Sequence, residues 1–253
     1  MTTTRKNNIL IIPDVHGRTF WKSAVQKTSY EKVVFLGDYF DPYERERITE
    51  EKAYMNFAEI LKFKKEHLNQ VVLLLGNHDM HYFSEQFCAS ACGSRYSEEY
   101  AGIMQSLFTG YEKYFKLAHE EVVSETRFLF THAGVVFSWY KRHYDKIREL
   151  TAKNLNHLLA TKKGVNALAE ISKLRCGKEP SGSIVWADVD EMLTSQPFPG
   201  VYQIFGHTLN PYGPLITDHY ACLDCRKAFL LNEMGQLHEV KIKETGSLIY
   251  KTK

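Results

Sequence analysis

The chain has 253 residues, of which 44% are hydrophobic and 25% are charged. Its formal net charge of +2 argues against a nucleic-acid or membrane partner that bulk charge would attract. We expect neither a signal peptide nor a membrane span, because every apolar run is far shorter than the roughly 20 residues that cross a bilayer. These features predict a single domain over residues 1–253, located in the cytoplasm, with its cysteines free.

Five short apolar runs, each followed by a polar cluster, predict buried strands. They are NILIIPDVHG (8–17), KVVFLGDYFDPY (32–43), QVVLLLGNHDMHY (70–82), RFLFTHAGVV (127–136) and VYQIFGHT (201–208). Apolar residues at helical spacing predict helices over residues 46–67, with Thr49 as N-cap, over 97–118 and over much of 137–174. Short strands are predicted after Gly206, within residues 220–232, 236–244 and 246–251. Alternating strands and helices followed by further strands indicate an α/β layered fold with a mixed sheet.

The polar clusters contain side chains that bind metals, and each cluster follows a strand-like run. These side chains are Asp14, His16, Asp38, Asp41, Asn77, His78, Asp79, His132 and His207. Each cluster alone is typical of a turn, but sites in open α/β sheets form where the carboxyl ends of the strands meet. Carboxylates held so close together would repel each other unless protons or cations neutralised them. Because mixed nitrogen and oxygen ligands suit Mn, Fe or Zn, we predict a metal centre at this edge of the sheet.

The C-x-x-C motif formed by Cys222 and Cys225 has two interpretations. It could be a redox pair or half of a zinc site. The sequence contains no second C-x-x-C, so we favour the alternative, in which both cysteines are ordinary small buried residues.

The five polar clusters resemble the motifs of the calcineurin-like metallophosphoesterases. The family pattern D-x-H-G, G-D-x-x-D, G-N-H-(D/E), H-(A/G)-G and G-H stands here, in order, as DVHG, GDYFD, GNHD, HAG and GHT. The resemblance runs from residue 8 to about residue 230, near the serine/threonine phosphoprotein phosphatase and diadenosine tetraphosphatase branch. CLDC (222–225) stands where relatives have a D-T-G-like strand. The resemblance implies a four-layer α-β-β-α sandwich of two mixed sheets with a dinuclear metal site.

The resemblance also implies two divalent metal ions, with Mn preferred to Fe or Zn. The implied ligands are Asp14 and His16 for the first metal, Asp38 as the carboxylate that bridges both metals, and Asn77, His132 and His207 for the second. Some relatives supply a further histidine to the first metal in a G-H-x-H motif. Leu209 stands at that position, so we expect the first metal to keep extra water.

The same resemblance implies a reaction in which a metal-bridging hydroxide attacks phosphorus in line. His78 resembles the general acid that gives a proton to the leaving group, and Asp41 resembles the carboxylate that orients this histidine. We therefore predict a metal-dependent phosphoesterase whose partner is a small phosphorylated substrate: a phosphomonoester, a nucleotide-like molecule or a phosphoprotein. The alternatives are a phosphodiesterase or dinucleoside polyphosphatase and, from another class, a non-catalytic metal-binding adaptor.

The sequence departs from the family pattern where relatives hold the phosphate. Relatives place an arginine directly after G-D-x-x-D, where this chain has Pro42. Phosphatase relatives have another arginine between the tryptophan segment, here SIVWAD (183–188), and the G-H motif, where this chain has none. Arginine suits bidentate binding of phosphate. We expect Arg175, and after it Arg95, to bind the substrate instead, although a solvated surface position would also suit either residue.

Residues 80–126 form a segment that is longer than a simple crossover between strands needs. We predict that this insert is a helical cap over the cleft. His81 and His219 are further histidines close to the motifs, and we expect them to have structural or supporting roles rather than to bind metal.

Overall fold

Two mixed β-sheets form the framework of the chain. The structure is a computed structural model that describes residues 8–84, 87 and 95–241. In chain order, the strands that it describes are β1 (Ile9–Ile12), β2 (Lys32–Phe35), β3 (Val71–Leu74), β4 (Phe115–Lys116), β5 (Ala118–Val123), β6 (Thr126–Thr131), β7 (Val201–Phe205), β8 (Leu215–Ile216), β9 (Tyr220–Cys222), β10 (Phe229–Leu231) and β11 (Leu237–Glu239).

Each sheet combines parallel and antiparallel neighbours. The first sheet has six strands in the order β11-β10-β1-β2-β3-β4, in which β1 to β4 are parallel and β10 runs antiparallel to β1. The second sheet has five strands in the order β5-β6-β7-β9-β8, in which β6, β7 and β9 are parallel and the two edge strands are antiparallel. Four adjacent parallel strands of the first sheet and three of the second therefore end at the same edge of their own sheet.

Helices connect the strands, much as the spacing of apolar residues predicts. In chain order, the helices of the described residues are α1 (Phe20–Lys27), α2 (Glu50–Glu66), α3 (Asn77–Phe83), α4 (Ala101–Gly110), α5 (Phe137–Arg142), α6 (Tyr144–Ile147), α7 (Ala152–Asn156), α8 (Lys162–Leu168) and α9 (Val189–Thr194), with 3₁₀ turns at Glu44–Glu46, Glu112–Tyr114, His157–Ala160 and Lys173–Arg175. Within this part of the chain, none of the helices has the length and apolar composition that crossing a membrane requires.

The helix that the sequence predicts over 46–67 is confirmed as α2, and its start has a clear cause. The Thr49 side chain accepts a hydrogen bond from the backbone N–H of Lys52 (3.3 Å), which satisfies one of the free donors at a helix N-terminus. The prediction over 97–118 was too long, because Phe115 pairs with Leu73 of β3 and begins a strand. Tertiary pairing overrides helical periodicity at this point.

The layer between the two sheets is apolar. Ile9 and Ile11 of β1 lie in this layer together with Phe130 of β6, whereas Leu10 and Ile12 belong to the larger core that includes the buried faces of the helices. Successive side chains of a strand point to opposite faces, so β1 is buried on both sides and reads as an unbroken apolar run. Two sheets packed face to face, with helices on the outside, confirm the predicted α/β sandwich.

The predicted cap falls partly outside the described residues, which omit 85–86 and 88–94. In the part that is described, α3 and α4 pack against each other. β4 and β5 belong to the two sheets, so the part of the insert that could cover the cleft ends before Phe115. A cap over the cleft stays a prediction, as does the strand predicted within 246–251, which also lies outside the described residues.

Candidate metal centre

The ends of six parallel strands bring the predicted polar clusters together. β1 leads to Asp14 and His16, β2 to Asp38 and Asp41, β3 to Asn77 and His78, β6 to His132, β7 to His207 and β9 to Asp224. A direct contact joins the two sheets here, because the carboxylate of Asp14 accepts a hydrogen bond from the backbone N–H of His207 (3.0 Å). All six residues that the sequence predicts as metal ligands therefore lie in one cluster.

His132 directs the lone pair of one ring nitrogen toward the centre of this cluster. Its Nδ1 lies 2.8 Å from the backbone carbonyl of Leu36, an acceptor, so Nδ1 carries the proton and Nε2 carries a lone pair. Nε2 faces Asn77 Oδ1 at 3.0 Å, His207 Nδ1 at 3.1 Å and Asp38 Oδ2 at 3.6 Å. A lone pair that faces an amide oxygen and a carboxylate oxygen at these distances is an arrangement that a cation would stabilise.

A second group of acceptors lies on the other side of Asp38. His16 Nδ1 lies 3.1 Å from the carbonyl of Phe40, which leaves Nε2 to face Asp38 Oδ2 at 3.4 Å. Asp14, His16 and Asp38 each offer one ligand atom, all within 4.8 Å of one another, and the same is true of Asp38, His132 and His207. Asp38 thus belongs to two candidate metal-binding groups at once.

Two glycines make room for the carboxylates of these groups. A Cβ atom added to Gly76 would lie 2.1 Å from Asp38 Oδ1, and one added to Gly206 would lie 2.1 Å from Asp14 Oδ1. Both distances are far below van der Waals contact, so any larger residue would push the carboxylate out of place. The donor set and the space around it therefore fit divalent cations.

Burial keeps the histidines of the cluster in the form that binds metals. It lowers the pKa values of His16, His132 and His207, the first and last of them well below the ordinary range, so the rings are neutral near pH 7. Burial, reinforced by the charge of Asp38, raises the pKa of Asp14 to about 7. Without a cation, Asp14 is therefore only partly ionised near pH 7 while Asp38 is charged.

Four of the residues at the strand ends have strained backbones. The φ angles of His16, Asp38, Asp41 and His207 are +43°, +54°, +50° and +68°, in the left-handed region that favours glycine. Such conformations cost on the order of 1–3 kcal/mol each, and they persist where the surroundings fix them. All four residues lie at the edge of the sandwich where the predicted metal ligands meet.

His78 forms a separate polar unit beside the metal groups. Its Nδ1 lies 2.6 Å from Asp41 Oδ2, and the other carboxylate oxygen of Asp41 accepts a hydrogen bond from the hydroxyl of Tyr82 (2.5 Å). Asp41 is fully buried, whereas His78 is 12% exposed. The ring is therefore fixed by a buried carboxylate and can still reach a molecule in the cleft.

The two arginines that the sequence singles out have different surroundings. Arg95 Nη2 lies 3.3 Å from His16 Nδ1 and 3.4 Å from His78 Nε2, so its guanidinium faces the cluster. Arg175 is held by Asp188, with Nε 2.6 Å from Oδ2, and donates a hydrogen bond to the Thr208 hydroxyl (2.7 Å). The structure brings Arg95 to the predicted catalytic histidine and ties Arg175 to a neighbouring carboxylate.

Asp79 and Tyr82 support the site through hydrogen bonds that the sequence does not predict. The carboxylate of Asp79 accepts hydrogen bonds from the backbone N–H groups of Gly76 (2.8 Å), Asp38 (2.7 Å) and Tyr39 (3.0 Å), and so holds two strand ends together. The position of Asp79 in GNHD was the only signal in the sequence. Tyr82, which orients Asp41, had no signal, because its partner lies 41 residues away along the chain.

The C-x-x-C segment places an aspartate, rather than a pair of reactive thiols, beside the cluster of candidate ligands. Cys222 and Cys225 are free and buried, and burial raises their pKa values to about 12 and about 11. Both thiols therefore stay protonated and are poor metal ligands. Asp224 between them is buried, and burial and the charge of Asp14 raise its pKa well above the ordinary range. The favoured interpretation of the cysteines as ordinary buried residues fits these surroundings.

Comparison with known proteins agrees with this geometry. The two-sheet sandwich and the cluster of histidines and carboxylates define a metal-dependent hydrolase of phosphate esters, and the model of one protein family, the calcineurin-like phosphoesterases, matches residues 8–211. The chain belongs to the calcineurin-like phosphoesterase family. The predicted resemblance is therefore confirmed.

Solved phosphatase structures are similar to the chain at low sequence identity. A protein serine/threonine phosphatase from Saccharomyces cerevisiae, described as similar to human phosphatase PP5, is 13% identical, with a TM-score of 0.53 over 97% of this chain and 83% of that chain. A cold-active protein tyrosine phosphatase is 14% identical, with a TM-score of 0.49 over 92% of this chain and 78% of that chain. No curated protein sequence matches the chain.

We predict that metal binding weakens as the pH falls through about 7, because a cation must then displace the proton that Asp14 holds in the metal-free protein. Below this pH, the metal affinity should fall by about tenfold per pH unit, because one proton is displaced for each cation bound at Asp14. Calorimetric titration of metal-free protein with Mn²⁺, in buffers of different ionisation enthalpy, measures both the affinity and the protons released. An affinity that stays constant between about pH 8 and about pH 6 would contradict the ionisation assigned to Asp14.

Proposed function

We propose that this protein hydrolyses a phosphomonoester or a nucleotide-like substrate with the help of two divalent cations. The observation that supports the proposal most directly is the position of Asp38, whose Oδ2 lies 3.4 Å from His16 Nε2 and 3.6 Å from His132 Nε2. A carboxylate shared by two sets of neutral histidines suits a bridging ligand between two metals.

The proposed ligands divide into two sets that share one residue. Asp14, His16 and Asp38 would hold one cation, and Asp38, Asn77, His132 and His207 would hold the other. When bound, the two cations would lower the pKa of a bound water and offset the charge of the phosphate. The mixed nitrogen and oxygen ligands make Mn²⁺ the first cation to test, with Fe and Zn as alternatives.

In this proposal, His78 is the general acid. The hydrogen bond from its Nδ1 to Asp41 leaves Nε2 to hold a proton on the side of the cleft. Tyr82 fixes Asp41 in turn, so the ring is oriented through two successive hydrogen bonds. A positioned imidazole can transfer its proton to the leaving group without the cost of reorienting.

Arg95 is the residue that we propose to hold the phosphate. Its guanidinium is stacked over the ring of Tyr43, with 3.7 Å between Cζ and the ring centroid, and its Nε donates a hydrogen bond to the backbone carbonyl of Asp41 (3.0 Å). Asp41 and Tyr43 flank Pro42 in the chain, so these two contacts place the Arg95 guanidinium beside Pro42. Pro42 stands at the position where relatives have an arginine. A residue from a later segment would then supply the missing guanidinium.

The substitution His78→Asn tests the general acid. Asparagine keeps a polar side chain but has no titratable proton, so we expect turnover of an aryl phosphomonoester with Mn²⁺ to fall about 10²–10⁴-fold. The Mn content, measured by mass spectrometry, should stay at the wild-type value because His78 is not a proposed ligand of the two cations at Asp38. The matched control is His219→Asn at an exposed histidine, which should leave turnover unchanged. Wild-type turnover in His78→Asn would exclude His78 as the acid.

The substitutions Arg95→Ala and Arg175→Ala distinguish the two arginines. A charge-assisted hydrogen bond is worth about 1.5–3 kcal/mol, so the loss of Arg95 should weaken competitive inhibition by inorganic phosphate by roughly 10–100-fold. The loss of Arg175, which already pairs with Asp188, should have a smaller effect. Steady-state kinetics with phosphate as inhibitor provides the comparison. If Arg175→Ala has the larger effect, the assignments must be exchanged.

A panel of substrates separates this proposal from its alternatives. Phosphopeptides, mononucleotides, dinucleoside polyphosphates and a bis-aryl phosphodiester should be compared with Mn²⁺ at equal concentration. Preferred cleavage of the diester or of a dinucleoside polyphosphate would favour the second candidate, because His78 can serve as acid for all of these leaving groups. Family membership and the complete set of candidate ligands weigh against a non-catalytic adaptor.

A further inference from the structure

His81 is a buried histidine for which the proposed reaction has no use. None of its surface is exposed, yet neither Nδ1 nor Nε2 has a hydrogen-bond partner among the described residues. Buried polar groups in folded proteins are almost always paired, so an imidazole with two unpaired nitrogens calls for an explanation. The sequence suggested only a structural or supporting role.

The surroundings of His81 offer aromatic rings on some sides and metal-ligating atoms on another. The ring centroid lies 5.9 Å from that of Trp186 and 6.4 Å from that of Tyr96. It lies 5.8 Å from the ring of His78. One ligand atom each from Asp41, His78 and His81 lie within 4.8 Å of one another.

We propose that Asp41, His78 and His81 form a third cation site, which takes Zn²⁺. One carboxylate and two imidazoles are ligands that zinc prefers, and three protein ligands leave a fourth position for water. Ligand atoms about 2.1 Å from a tetrahedral zinc ion lie about 3.4 Å apart, so the three side chains need only small rotations. None of the three belongs to the two groups around Asp38, so the site is separate from the proposed dinuclear centre.

The charge and protonation of the three ligands suit a cation. Burial, and after it the charge of His78, lowers the pKa of His81 to about 4, so this ring is neutral and has a free lone pair near pH 7. Asp41 supplies the negative charge, and its carboxylate is fully buried beside His78. Among the described residues, no protein group donates a hydrogen bond to either nitrogen of His81.

The third site would inhibit the enzyme, a consequence that rests on the proposed role of His78. Coordination through Nδ1 would replace the hydrogen bond to Asp41, and coordination through Nε2 would occupy the nitrogen that faces Arg95. In either case His78 could no longer give a proton to a leaving group. Zn²⁺ bound at the third site should therefore stop turnover whether the two sites at Asp38 hold Mn²⁺ or Zn²⁺.

The first measurement is stoichiometry, which does not depend on activity. Metal-free protein is dialysed against Zn²⁺, and bound zinc is counted by mass spectrometry. We expect three ions per wild-type chain, two of them tight, and two per chain of His81→Phe. His143→Phe, at another buried histidine, is the matched control and should keep three. Equal zinc content in wild type and His81→Phe would overturn the proposal.

A second variant guards against misfolding of His81→Phe. Phenylalanine fits a site lined by Trp186 and Tyr96 and removes an unpaired polar group, so the fold should be kept, which thermal unfolding monitors. Asp41→Asn, read only by zinc content, should lose the same third ion because it removes the carboxylate of the site. Retention of three ions in Asp41→Asn would contradict the assignment even if His81→Phe failed to fold.

The second measurement is inhibition of the Mn²⁺-loaded enzyme by added Zn²⁺. His81→Phe should turn over substrate like wild type without zinc, and should need at least about tenfold more Zn²⁺ for half-inhibition, because the loss of a metal-site residue costs about 10–100-fold in affinity. If the wild type hydrolyses no phosphoester, the proposed function fails while the zinc count still decides the third site. If hydrolysis is normal but inhibition is the same in both proteins, the inhibitory site is excluded.

Discussion

The rest of the site depends on the contacts that the Asp38 carboxylate makes with two buried histidines. This carboxylate is buried between His16 and His132, whose rings are both neutral because burial lowers their pKa values. A buried carboxylate among lone pairs is unfavourable unless something positive lies between them. Cations between these groups would remove that cost, and the backbones of His16 and Asp38 are in the left-handed region at this point.

The fold supplies this arrangement through the direction of its strands. Four adjacent parallel strands of the first sheet and three of the second end at the same edge of their own sheet, and the two sheets pack face to face, so six of these strand ends converge on one cleft. Gly76 and Gly206 are required there, because a Cβ at either position would collide with a carboxylate oxygen. The apolar halves of the strands hold the sandwich together, and the candidate metal ligands follow their carboxyl ends.

Much of this could be predicted from the sequence, since each ligand follows an apolar run in the same segment of chain. The apolar run IIP predicts the place of Asp14 and His16 at a strand end, and LLLG does the same for Asn77 and His78. Contacts between distant segments could not be predicted in this way. Arg95 reaches His16 across 79 positions of the chain, and sequence reasoning placed it second to Arg175. Periodicity and motif spacing describe neighbours along the chain, not partners across the fold.

The metal content of the substitution Asp38→Asn tests the central claim most directly. Metal-free wild type and variant are loaded with Mn²⁺ and freed of excess, and bound Mn is measured by mass spectrometry. Asp145→Asn, at an exposed aspartate, serves as the control. A bridging Asp38 predicts two ions per chain in the wild type and the control, and the loss of at least one ion in Asp38→Asn, because both proposed sites share this carboxylate. Two ions retained at full occupancy in Asp38→Asn would contradict the account.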